Sequence, residues 1–109
     1  MSAGKLDRRI QFRRRTLTDN GLEMVEAWAD HGAPVWASRH DVSDGERAAA
    51  GWIEATSVAR FVVRSSSFTR DLTVKDCLTT EGRAYDIQGI KDIGRRDRLE
   101  ITAIARMDA

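Results

Sequence analysis

Few side chains in this 109-residue chain have the types and spacing that covalent or metal chemistry needs. The chain has one cysteine, Cys77, and two histidines, His31 and His40. Cys77 has no histidine near it in sequence and stands among apolar residues, which is typical of a buried thiol rather than a nucleophile. Two histidines without a patterned partner do not indicate a metal site. We therefore expect no catalytic residue, no metal and no cofactor, and we predict that the chain is not an enzyme.

The carboxylates near the middle of the chain have a structural explanation. Asp41 and Asp44 could bind a cation, but they lie beside Ser43 and Glu46. The spacing of that serine and glutamate is typical of a capping box at the start of a helix, where acidic side chains also interact favourably with the helix dipole. An alanine run follows directly. We predict a short helix within a loop, at about residues 44–55.

Charge is distributed unevenly along the chain, although the net charge is only +1. Residues 1–15 sum to +5, residues 16–59 to −6 and residues 60–109 to +2. This is not the balance of a nucleic-acid binder that is basic throughout. The basic end and the acidic middle could pair within the fold, could pair between neighbouring copies, or could form a solvated surface. The candidate residues for contacts between subunits are Arg8, Arg9, Arg13, Arg14, Arg15, Glu23 and Glu26.

Apolar and polar residues alternate with a period of two along most of the chain, which predicts strands. Ile10 and Phe12 share one face of the first strand, and Asn20-Gly21 supplies the tight turn of a hairpin. No apolar run is long enough for a transmembrane helix. About eight short strands with one short helix or loop insertion predict a mainly β fold. We expect a small antiparallel β-barrel or sandwich that forms a single domain over residues 1–109.

Tryptophan and glycine positions refine this prediction. Trp28 and Trp36 are predicted to lie in the core. Trp52 is on the predicted helix, where it is either a core residue or, if exposed, an anchor for a protein interface. Gly89 interrupts an alternating segment and predicts a β-bulge.

Seven short motifs follow one another along residues 4–105. They are Gly4-Lys5-Leu6 with Arg9-Ile10, Asp19-Asn20-Gly21, Val35-Trp36-Ala37, Gly45-Glu46-Arg47, Phe61-Val62-Val63-Arg64, Tyr85-Asp86-Ile87-Gln88-Gly89-Ile90 and Arg96-Asp97-Arg98-Leu99-Glu100-Ile101. Their order resembles that of the phage head–tail joining proteins, also called head-completion, stopper or adaptor proteins. Related proteins serve in tailed phages and in phage-like gene transfer agents.

The resemblance implies a β-barrel subunit of a six- or twelve-fold homo-oligomeric ring beneath the portal. Such a ring joins the DNA-filled head to the tail and helps to retain the DNA. Its expected neighbours are a portal or adaptor protein on the head side and a stopper or tail terminator on the tail side. Packaged DNA in the channel would be contacted without sequence specificity, and no membrane is involved. The location implied is the neck of a virion or phage-like particle, after synthesis in the host cytoplasm.

In the resembling family, a loop between barrel strands can project into the channel. The matching stretch in this chain covers residues 41–57. Its candidate channel residues are Asp41, Ser43, Asp44, Gly45, Glu46, Arg47, Gly51 and Trp52.

Other functions stay open at this point. A standalone small-barrel nucleic-acid-binding protein would show salt-dependent affinity for DNA, but the near-neutral charge and the scarcity of aromatic residues for base stacking disfavour it. A small enzyme would need a group of catalytic side chains with suitable types and spacing, and the sequence shows none. The residues do not distinguish an adaptor from a stopper, or one ring number from another.

Overall fold

Strands dominate the part of the chain that the computed structural model describes, which is residues 6–43, 45–46, 57–95 and 97–106. The elements of that part are β1 (Arg8–Asp19), β2 (Met24–Asp30), β3 (Val35–Asp41), β4 (Val58–Arg64), α1 (Ser67–Arg70), β5 (Cys77–Thr80), β6 (Arg83–Ile93) and β7 (Arg98–Ala105). All pairings between these strands are antiparallel. The predicted mainly β fold is confirmed, with seven strands rather than about eight among the described residues.

The pairings of six of the seven strands form a closed cycle. The order is β1-β3-β4-β7-β6-β5, and β5 returns to pair with residues 11–13 of β1. Residues 13–19 of β1 extend beyond this cycle and pair with β2. These two segments form a hairpin that continues beyond the closed cycle.

The core lies inside the cycle, on the faces that alternation predicts. Ile10 and Phe12 of β1 are fully buried, and Phe61 packs edge-on against Tyr85 with ring centroids 5.4 Å apart. Alternate residues of β7 complete this core: Leu99, Ile101, Ala103 and Ala105. A register shift between Ile87 and Gly89 confirms the predicted bulge.

The prediction that Trp36 lies in the core is wrong. Its neighbours Val35 and Ala37 point into the core, so alternation turns the indole outward and leaves Trp36 52% exposed. Trp28, on the projecting hairpin, is half-buried rather than fully buried. Trp52 lies outside the described residues.

A short helix, α1, follows β4. The sequence did not predict it, because the run of serines at residues 65–67 shows no helical pattern. The Ser66 hydroxyl accepts a hydrogen bond from the Thr69 N–H (3.1 Å), and the Thr69 hydroxyl accepts one from the Ser66 N–H (2.8 Å). This reciprocal capping forms the single turn of α1. Phe68 of α1 packs edge-on against Phe12 at 6.2 Å, which fixes the helix against β1.

The helix predicted near residues 44–55 lies mostly outside the described residues. Its first residues are described: Gly45 and Glu46 are helical, and the Ser43 hydroxyl accepts a hydrogen bond from the Glu46 N–H at 3.2 Å. This contact is one half of the predicted capping box.

Candidate assembly interface

The end of the β1–β2 hairpin, which we call the hairpin tip (residues 17–25), is unusually apolar for an exposed segment. Six large hydrophobic side chains are exposed in the described part of the chain, and four of them are in the tip: Leu17, Leu22, Met24 and Val25. Leu22 is 94% exposed. The charged residues of the tip are Asp19 and Glu23, so its net charge is −2. Concentrated exposed apolar surface of this kind marks interaction sites.

Side-chain hydrogen bonds hold the turn of the tip in one conformation. An oxygen of Asp19 accepts a hydrogen bond from the Gly21 N–H (2.8 Å), and the Asn20 side-chain oxygen accepts from the Leu22 and Glu23 N–H groups (both 2.9 Å). Gly21 has a φ of +92°, which glycine adopts without strain. The predicted Asn-Gly turn is confirmed, and the tip presents its apolar side chains on an ordered backbone.

An ion pair between the partly exposed Arg14 and a buried carboxylate fixes the base of the hairpin to the loop after α1. The Arg14 guanidinium donates to both carboxylate oxygens of Asp76 (2.9 Å each) and to the Asp71 carboxylate (2.9 Å). The Asp76 side chain is 3% exposed and also accepts from the Thr73 N–H at 2.9 Å. The hydrogen bond that Arg14 donates to Asp76 raises the pKa of the Arg14 guanidinium. Burial opposes ionisation of Asp76, but the hydrogen bonds from Arg14 and Thr73 prevail and hold its pKa below the ordinary value.

The neighbouring arginines of β1 also pair within the chain. Arg13 lies 3.4 Å from the Asp30 carboxylate and Arg15 lies 3.3 Å from that of Glu26, both across the hairpin. Within the fold, Arg13 and Arg15 pair with the acidic middle of the chain, which is one of the alternatives for the basic end. Arg14 pairs within the fold as well, but with acidic residues that lie outside that middle. The proposed contacts of these residues between subunits stay predictions.

A different set of arginines forms a row across the outer face of the closed cycle. Arg9 is opposite Trp36 in the β1–β3 register, and Arg64 is opposite Arg98 in the β4–β7 register. Trp36 and Arg64 line the same shallow pocket, which joins the two pairs. We call these four residues, Arg9, Trp36, Arg64 and Arg98, the arginine row.

The arginine row carries positive charge that the described residues do not neutralise. Arg9 stacks over the Trp36 ring at 4.6 Å, but Arg9, Arg64 and Arg98 have no ion-pair partner among the described residues. Arg8, the neighbour of Arg9, differs because it pairs with Glu81. Nη1 of Arg98 is buried and lacks a hydrogen-bond partner within the same part of the chain. Exposed tryptophan beside arginine is the composition of a protein-binding hot spot.

Comparison with known proteins identifies the family. Residues 1–106 match the family model described as phage head completion protein. The chain belongs to this family. None of the curated proteins compared with the chain matches it.

Two solved structures share the fold of this head completion protein. The solution structure of protein SF1141 from Shigella flexneri 2a is similar with a TM-score of 0.80 and 28% identity, over 100% of both chains. A chain in the structure of the virion of a native gene transfer agent particle is similar with a TM-score of 0.66 and 20% identity, over 94% of this chain and 96% of that one. At 20% identity, the similarity to the gene transfer agent chain is evidence for a shared fold alone.

The start of the predicted channel loop is anchored to the strands of this head completion protein. Asp41, at the end of β3, accepts a hydrogen bond from Nε of Arg39 at 3.0 Å. Glu46 forms an ion pair with Arg60 of β4. Ser43 caps Glu46 as described above. Four candidate channel residues lie outside the described residues: Asp44, Arg47, Gly51 and Trp52.

Cys77, His31 and His40, the groups with potential chemistry, differ in their surroundings. Cys77 is buried, and burial raises the pKa of its thiol, which favours the unreactive protonated form. His31 stacks against Phe68 with ring centroids 5.1 Å apart, whereas His40 is exposed on β3. No group of three or more His, Cys, Asp and Glu side chains able to hold a metal occurs among the described residues. None of the helices in that part of the chain is long and apolar enough to span a membrane.

Proposed function

We propose that this head completion protein is a structural subunit of the neck of a tailed phage or phage-like particle. There it forms a ring that joins the DNA-filled head to the tail and helps to retain the packaged DNA. The observation that carries this proposal is the family match, which covers residues 1–106. The role is mechanical, without catalysis and without a cofactor.

The fold suits a subunit that must resist pressure and dock with its neighbours. The closed cycle of strands gives a compact body with few open strand edges, because each strand of the cycle pairs on both sides over part of its length. The ordered hairpin tip extends away from this body. A closed ring of identical subunits needs a heterologous interface, in which one surface meets a different surface of the next copy. The ring, of six or twelve copies, would contact a portal or adaptor protein on one side and a stopper or tail terminator on the other.

The segment from residue 41 to residue 57 is the proposed channel loop. Its start is supported by the contact of Glu46 with Arg60, which ties the loop to β4 at the point where it leaves the body. Contacts of the loop with DNA would be made to phosphates and would carry no sequence specificity.

Electron microscopy of particles from a strain that lacks this gene tests the proposed function. We expect full-size heads that are detached from complete tails and are empty or leak DNA, because the joint between them is missing. Supplying the intact gene from a plasmid should restore tailed particles, which controls for effects on neighbouring genes. Normal tailed particles with full heads in the deletion strain would refute the neck role. The DNA-binding barrel would then be tested by measuring affinity for DNA as a function of salt.

A further inference from the structure

The hairpin tip and the arginine row are complementary in both charge and polarity. The tip has two carboxylates, Asp19 and Glu23, without an ion-pair partner among the described residues, next to four exposed apolar side chains. The row has three guanidinium groups that also lack ion-pair partners in that part of the chain, next to the exposed indole of Trp36. Each surface therefore supplies what the other needs: an apolar contact and an opposite charge.

Within one chain, these two surfaces are too far apart to meet. Arg9 and Asp19 belong to the same strand, β1, and are ten residues apart. At the rise of an extended strand this separation is about 33 Å. The hairpin is also held at its base by the buried pair of Arg14 and Asp76, so the tip cannot fold back onto the row. Complementary surfaces that cannot meet within a chain are available to a second copy.

We propose that the hairpin tip of one copy binds the arginine row of the next copy. Asp19 and Glu23 then face Arg9 and Arg64, and the leucine and methionine side chains of the tip cover the exposed face of Trp36. Because the two surfaces differ, the contact is head-to-tail and can be repeated around a ring. This inference rests on the proposed ring function and specifies the interface that builds the ring.

The composition of the row favours a protein partner over DNA. A phosphate backbone would use the guanidinium groups of Arg9 and Arg64 but would offer no apolar partner to Trp36. The pocket beside Trp36 is also lined by Leu6, which adds to the apolar part of this surface. Tryptophan and arginine together are the residues most enriched in the energetic centres of protein interfaces.

Cysteine cross-linking in assembled particles tests this interface without altering the contacts that define it. Glu26→Cys places a thiol at the end of the tip, on the face that it shares with Leu17 and Met24, and Asp7→Cys places one beside the row; both positions are exposed. The natural cysteine, Cys77, is buried and does not interfere. After oxidation, we expect the chain with both substitutions to run as a ladder of dimers, trimers and higher species on a non-reducing gel.

Matched controls distinguish a head-to-tail contact from random collision. Each single cysteine variant should give at most dimers, because a ladder needs two different thiols per chain. Pairing Glu26→Cys with Val74→Cys should give no ladder, since Val74 is 56% exposed but lies outside the row. Adding Arg64→Glu should reduce the cross-linked fraction by about tenfold or more, the usual effect of breaking an interfacial charge pair. Adding Glu23→Lys as well should restore it.

The outcomes separate this inference from the proposed function. If the chain with both substitutions runs as monomers only, the interface is overturned while the neck role stays in place. The same holds if the Val74→Cys control gives an equally strong ladder. Ultraviolet cross-links to DNA that map to the arginine row, found without ladders, would assign the row to DNA and overturn the interface as well. Absence of the unsubstituted chain from purified particles would overturn the proposed function itself.

Discussion

Replacing Arg14 with glutamine should lower the free energy of unfolding by about 3 kcal/mol, the cost of leaving the buried Asp76 carboxylate without its ion-pair partner. The carboxylate of Asp76 is 3% exposed and would keep one hydrogen bond, from the Thr73 N–H. Urea denaturation at pH 7 measures the loss. Arg15→Gln is the matched control, because its ion pair with Glu26 is half-exposed and should contribute less than about 1 kcal/mol.

The same substitution should also change how stability depends on pH. The pKa of Asp76 is lowered in the folded protein despite its burial, since Arg14 and Thr73 stabilise the charged form. The stability that this pair contributes is therefore fully present above about pH 4, the ordinary pKa of aspartate, and is lost as the pH falls through the lower folded value. We expect the difference between the natural chain and Arg14→Gln to be largest at neutral pH and to shrink on acidification. An equal loss at pH 7 and at pH 3 would contradict this explanation.

The second large effect is expected at the connection between β2 and β3. Gly32→Ala should destabilise the protein by about 3 kcal/mol, of which 1–2 kcal/mol is the cost of a positive φ for a residue with a Cβ and the rest is overpacking. Gly32 has a φ of +72°, and an added Cβ would lie 2.4 Å from a ring carbon of Phe68. Gly21→Ala is the control: its φ is +92°, but no atom lies within 4 Å of the added Cβ, so it should cost about 1 kcal/mol.

A double-mutant cycle separates the two contributions. In a Phe68→Ala background, the ring that clashes is gone, and Gly32→Ala should cost no more than Gly21→Ala does. If the excess cost of Gly32→Ala persists in that background, the steric explanation is wrong. The result also bears on assembly, because this connection and Phe68 join the hairpin to the body of the protein.

The fold was largely predictable, since alternation reports directly on which residues face the core. The failure at Trp36 shows the limit of that reasoning: alternation defines two faces of a strand but does not say which of them is the inner one. Val35 and Ala37, which are smaller, occupy the inner face instead. Helix α1 was missed because one turn is too short to show a helical period.

The candidate site was less predictable because it depends on strand register. Arg13, Arg14 and Arg15 are consecutive in the sequence and suggested one basic patch, yet each pairs with a different part of the chain. The partners Arg14 and Asp76 are 62 residues apart, and no local pattern connects them. The arginine row combines β1, β3, β4 and β7, and only the pairing of those strands brings its members together.

Cryo-electron microscopy of the neck of assembled particles tests the central claim most directly. We expect density for this chain as a closed ring between head and tail, with the hairpin tip of each copy against Arg9, Trp36 and Arg64 of the next. A ring in which the tip contacts another protein would contradict the interface. Density for the chain away from the neck, or none in intact particles, would contradict the account as a whole.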